Sequence, residues 1–150
     1  MSKKGLSPII ATVLLISIAL ILALIIFLWA KSFISEKTQK FNQPIEDACA
    51  KVSFDAEGTL TDGTLDVSVV NRGNVPLYGM QIKKKSEGTI INVGLFPGTI
   101  GNGEDGKVSG TTSDVASGDS VEYVPILVGE AGNSKKSYVC DGYGVEGTIV

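Results

Sequence analysis

Lys3-Lys4-Gly5-Leu6-Ser7-Pro8-Ile9-Ile10-Ala11-Thr12 opens an almost uninterrupted apolar run that continues from Ile9 to Ala30. The order of charge, glycine and apolar run says more than the hydropathy alone. In an ordinary secretory signal a short apolar region of about 7–15 residues precedes a small-residue cleavage site, so the apolar part is discarded. Here the small residue stands in front of the run. Cleavage between Gly5 and Leu6 would remove only Met1 to Gly5 and leave the whole apolar segment as the new N-terminus.

The segment reads as a helix on local grounds. Ser7 is a good N-cap, and Pro8 suits the first helical position, where its missing N–H would have had no partner. From Ile9 to Ala30 the only polar side chains are Thr12 and Ser17, and each can return its hydroxyl to a carbonyl of the preceding turn. At about 1.5 Å per residue, Ile9 to Ala30 spans roughly 33 Å, enough for a bilayer core. Flanking charge does not set the orientation, because Lys3 and Lys4 face Lys31, Lys37 and Lys40 across the run,.

Lys3-Lys4-Gly5 followed by Leu6-Ser7-Pro8-Ile9-Ile10-Ala11-Thr12 resembles the class III signal peptide of archaeal type IV pilin-like proteins, and the resemblance covers roughly the first 35 residues. It implies that a prepilin peptidase on the cytoplasmic side cuts after Gly5, with Lys3 and Lys4 as the charged leader and Leu6 as the first mature residue. It also implies a fate for the freed helix. Pro8, Ile9, Ile10, Val13, Leu14, Ile16, Ser17 and Leu20 would pack against identical subunits as the core of an extracellular filament, raised from the cytoplasmic membrane by an assembly machine and serving surface adhesion. Bacterial type IV pilins typically carry a glutamate at the fifth mature position, where this chain has Ile10. That departure favours an archaeal pilin over a bacterial one. An archaellin, or a membrane-anchored binding module with an uncleaved helix, fits the same helix logic.

Residues 31–43 lack glycine and proline, and Phe33, Ile34, Lys37, Thr38 and Phe41 recur at the spacing of one helical face,. The spacing predicts that the helix continues as an amphipathic rod to about Ala48, with a kink or end near 43–48 because Pro44 disfavours helical geometry at Gln43. The expected organisation is a leader over 1–5, a helix over 6–48 (apolar over 6–30, amphipathic over 31–48) and a C-terminal domain over 49–150.

That C-terminal part holds most of the 18 glycines and shows no helical period. Short runs bounded by turn signals predict strands at Lys51–Glu57, Thr64–Asn71, Leu77–Lys85, Thr89–Gly94, Ser120–Val128, Ser137–Asp141 and Val145–Val150. Leu65, Val67 and Val69 alternate with polar residues as a half-buried strand requires, and Val52, Phe54 and Ala56 do the same. Asp62-Gly63 and Asn71-Arg72-Gly73-Asn74 are the strongest turn signals. The stretch Asn71 to Leu77 also resembles a strand-turn-strand element of archaeal pilin and archaellin β domains. Gly94–Gly118 reads as a long surface excursion with at most a short hairpin around Gly106–Thr111. The fold class is therefore α+β, a long apolar helix followed by a small all-β, sandwich-like (Ig-like) domain.

Cys49 and Cys140 stand at the two ends of that domain and are most simply a disulfide. Free buried thiols are the alternative. With no histidine in the chain, the commonest general base is missing, and no Ser-His-Asp, Cys-His or zinc motif can be written. Asp55 with Glu57, or Glu104 with Asp105, are better read as solvated carboxylates than as an acid–base pair. Gly101-Asn102-Gly103-Glu104-Asp105-Gly106 has the composition of a calcium loop without its spacing. No enzyme, metal or cofactor is expected. The formal net charge of −3 becomes more negative once Lys3 and Lys4 are lost, which disfavours nucleic acid as a partner. Lys83-Lys84-Lys85 and Lys135-Lys136 read as solvated strand edges that discourage edge pairing, with an acidic face on a neighbouring subunit as the other possibility.

Overall fold

A computed structural model describes the backbone of residues 8–35, 39–40 and 43–150 and the side chains of residues 8–30 and 43–150. The chain divides into two compact units, Met1–Lys37 and Thr38–Val150.

The first unit contains helix α1, Pro8–Ser35. It begins at the proline, as the local chemistry requires. Thr12 Oγ1 donates to the Ile9 carbonyl at 2.9 Å and Ser17 Oγ to the Val13 carbonyl at 2.8 Å, so the two hydroxyls of the apolar stretch are satisfied within the helix itself. The Ser7 cap lies outside the described residues.

The expected rod to Ala48 is not formed. Two short strands, β1 (Gln39–Lys40) and β2 (Gln43–Pro44), pair antiparallel, and only then comes a short helix, α2 (Ile45–Cys49). Gln39 pairs with Glu130 of the β domain, so tertiary pairing takes this segment out of the helix before Pro44 is reached. Of the proposed stripe, Lys37, Thr38 and Phe41 lie outside the described residues, as do the side chains of Phe33 and Ile34.

The β domain continues with β3 (Phe54–Thr61), β4 (Thr64–Asn71), β5 (Leu77–Ser86), β6 (Thr89–Ile100), β7 (Asp105–Thr111), β8 (Ser120–Ala131), β9 (Ser134–Val139) and β10 (Val145–Thr148). The strands form two antiparallel sheets. The smaller runs β3-β4-β7. In the larger, β8 has β5 and β1 along one side and β10 and β9 end to end along the other, while β6 borders β5. The core lies between the sheets: Leu65, Val67 and Val69 from β4, Val108 from β7, and Met80, Ile82, Phe96, Tyr123 and Leu127 from the larger sheet are buried. The alternation read in β3 and β4 thus decides which face is inside. Asp62 (φ 48) and Gly63 (φ 76) form the two-residue link between those strands, both with the positive φ that a mirror-image hairpin turn demands.

The stretch read as a loose excursion, Gly94–Gly118, is instead largely sheet, because β6 runs on to Ile100 and β7 fills Asp105–Thr111. Three of its glycines mark close packing against core side chains. A Cβ on Gly98 would lie 2.6 Å from Val108 Cγ1, one on Gly106 2.7 Å from Ile100 Cγ1, and one on Gly110 would overlap the Phe96 ring. Glycine here makes room for core side chains of a facing strand, which composition alone presents as a loop signal.

Candidate functional site

The largest chemically distinctive surface of the chain is α1 itself. Pro8, Ile9, Ile10, Val13, Leu14, Ile16, Ser17 and Leu20 are all exposed on it, Ile9 at 73 % and Leu20 at 66 %. The remaining apolar side chains as far as Phe27 are exposed too, so no face is distinguished from another. Pro8–Ala30 is long and apolar enough to cross a membrane. Burying a Leu, Ile, Val or Phe side chain is worth about 1.5–3 kcal/mol relative to leaving it in water. A helix apolar on every side therefore requires lipid or other protein around it. The processing residues Lys3, Lys4, Gly5 and Leu6 lie outside the described residues.

The β domain is closed where the cysteines predict. Cys49, at the end of α2, and Cys140, just after β9, form a disulfide with Cα atoms 5.5 Å apart and a sequence separation of 91, and both residues are 1 % exposed. Such bonds form and persist most readily in oxidising compartments.

Asn71 is the one buried polar residue among those described. Its Nδ2 donates to the carbonyls of Val75 and Gly101, both at 2.9 Å, and its Oδ1 accepts the Gly73 N–H at 3.0 Å. Its own N–H donates to the Glu104 carbonyl at 2.9 Å, while the Arg72 N–H reaches the Ser53 carbonyl at 2.8 Å. The turn read at 71–74 is therefore also a knot joining β3, β4 and the β6–β7 link. A turn signal announces the bend but not the carboxamide's distant partners.

The lysine clusters part company. Lys83-Lys84-Lys85 lie on β5, which is flanked by β6 and β8 and is not an edge. All three are paired within the domain: Lys83 with Asp141, Lys84 with Asp119 at 2.6 Å, and Lys85 with Glu146 and, at 4.0 Å, Glu122. The hydrogen bond from Lys84 and the Ala116 N–H hold the Asp119 carboxyl below its usual range, and Lys85 does the same to Glu146, its own pKa rising in return. Lys135 and Lys136, by contrast, are exposed on β9, an edge strand as expected.

One carboxylate of each pair weighed for acid–base work has a structural partner. Asp55 binds Arg72, and Glu104 Oε2 accepts the Gly101 N–H at 3.1 Å, closing the glycine-rich loop on itself. Among the described residues no group of three or more His, Cys, Asp or Glu is placed to hold a metal ion. A shallow, open depression lined by Asp62, Gly63, Val93 and Thr111 to Asp114 brings two carboxylates and some hydroxyls to the surface without a neighbouring base.

Beneath the C-terminal strand lies the buried Tyr123 hydroxyl, which has no hydrogen-bond partner of normal geometry. Burial pushes its pKa up, and the adjoining Gly58 backbone only partly offsets this. A Cβ on Gly58 would collide with that hydroxyl, and one on Gly147 would lie 2.9 Å from Tyr123 Cε2. The two glycines are the space the ring occupies. No protein-family model matches the chain, and no curated protein matches it.

Proposed function

We propose that this chain is the structural subunit of an archaeal type IV pilus-like extracellular filament, acting by polymerisation and not by catalysis. The observation that carries the reading is α1: a helix exposed and apolar on all sides, directly behind Lys3-Lys4-Gly5 and attached to a disulfide-closed β domain. The precursor rests in the cytoplasmic membrane with α1 across the bilayer. A prepilin peptidase cuts between Gly5 and Leu6, and the assembly machinery moves the helix from lipid into a bundle of identical helices, with the β domains outside. Leaving lipid gains little hydrophobic free energy, so close packing and an energised machine drive the transfer. Surface adhesion is the task this reading gives the filament.

The test is N-terminal sequencing and intact mass of the protein in sheared surface material, with Gly5→Val alongside. A start at Leu6 in a filamentous fraction, lost together with filaments in Gly5→Val, is expected. An intact N-terminus confined to membranes makes the chain an uncleaved surface anchor instead, and normal filaments from Gly5→Val refute the cleavage assignment. Loss of swimming rather than adhesion on deletion points to an archaellin.

A further inference from the structure

We infer that the first half of β6, Thr89–Leu95, is a pairing edge for a second copy of the β domain, joined antiparallel to the same stretch of that copy. Exposed sheet edges invite pairing, and proteins blunt them with charge, proline or a covering segment. Three of the edges in this domain are so treated. On β9, Lys135 and Lys136 are exposed. On β3, Asp55 and Glu57 are exposed, and the edge groups at Gly58 and Leu60 are taken by Val150 through two 2.9 Å hydrogen bonds. On β7, Asp105 and Lys107 are exposed.

The β6 edge has none of these devices before Pro97. Thr89-Ile90-Ile91-Asn92-Val93-Gly94-Leu95 carries no charge, and among the described residues it pairs only with β5. Ile90, Ile91 and Leu95 are 60 %, 43 % and 61 % exposed. The second half of β6 differs, since Gly98 and Phe96 pack closely against Val108 and Gly110 of β7.

Charge selects the occupant. An edge bearing like charges opposes its own copy, because in an antiparallel two-fold pair the stretch meets itself reversed, residue i facing residue j and j facing i, with only the central residue facing its own copy. An uncharged edge with a polar centre at Asn92 and apolar ends is self-compatible. The nearby Lys83 and Lys85 are already neutralised by Asp141, Glu146 and Glu122. Such a contact is smaller than the roughly 1,200 Å² at which stable interfaces begin, so it is expected to be reversible. It does not depend on the filament reading.

The full-length chain in detergent micelles can be tested by thiol cross-linking, since the native cysteines are consumed in a buried disulfide. With Asn92→Cys, mild oxidation is expected to yield a covalent dimer about tenfold faster than with Lys135→Cys on the opposite edge. Adding Leu95→Lys or Ile90→Lys, both at exposed positions, should return the rate to that of the control. Equal rates at the two edges, or a fast rate unmoved by either lysine, would overturn the proposal, and helix-driven association alone produces the former result.

Discussion

Asn71 and Tyr123 occupy the same core and behave oppositely. Each polar atom of the Asn71 carboxamide has a backbone partner, so Asn71→Ala leaves the buried Val75 carbonyl without this donor and takes a partner from the part-buried Gly101 carbonyl and Gly73 N–H. We expect a loss of about 3 kcal/mol in chemical unfolding. Asn71→Asp should recover little of it, since a carboxylate can accept from Gly73 but cannot donate to Val75 or Gly101. The Tyr123 hydroxyl has nothing comparable to lose. Tyr123→Phe should leave stability unchanged or raise it by up to about 1 kcal/mol, and should partly rescue Gly58→Ala, whose added methyl meets that hydroxyl. A double-mutant cycle reads the coupling directly, and additive effects would refute the claim that Gly58 exists to house Tyr123.

At the scale of elements, α1 is specified by its own composition, whereas the strands are specified by what faces them. A lysine at Leu20, near the middle of the apolar stretch, costs about 2.5–3.5 kcal/mol on insertion scales. Leu20→Lys is therefore expected to reduce the membrane-inserted fraction sharply, measured by alkaline extraction, while Thr59→Lys on the exposed face of β3 leaves it unchanged. The strands divide by legibility. Leu65-Asp66-Val67-Ser68-Val69 announces its inward face by alternation alone, and Asp62-Gly63 its turn. The Gly94–Thr111 stretch hides two strands, because a glycine that clears space for Phe96, Ile100 or Val108 looks the same in sequence as a glycine in a loop. The amphipathic spacing at residues 31–43 holds as far as Ser35 and then misleads in the other direction: β1 answers to Glu130, far along the chain, and that pairing outweighs local helical preference,.

For the whole molecule, the disulfide closes the domain and a set of ion pairs dresses its outside. Replacing both Cys49 and Cys140 by Ala releases a loop of about 90 residues, worth about 4–5 kcal/mol in the chain-entropy account. A fall in Tm of about 15–20 °C is expected for a domain of this size. Acid acts more gently. Lys107 and Ser109 hold the Asp66 carboxyl below its ordinary pKa, as Lys84 holds Asp119 and Lys85 holds Glu146. A carboxylate with a depressed folded pKa adds stability that is present above its unfolded value and fades as pH falls through the folded one. Stability should therefore be flat near neutrality and decline below about pH 4. The decline should shallow in Asp119→Asn, and scans of Tm against pH at low and high salt provide the check.

The apolar N-terminal helix, the change to an all-β domain and the inward faces of β3 and β4 were determined by the sequence by itself, because each depends on residues close together along the chain. The pairing of Cys49 with Cys140 was also legible, as only two cysteines exist. Tertiary structure alone decided that 39–40 and 43–44 are strand, that β6 and β7 complete the two sheets, that the three consecutive lysines are satisfied within the domain, and that Asn71 joins three segments. Each of these turns on a partner tens of residues away, and the free energy of such contacts resides in the pair, with neither residue showing it on its own.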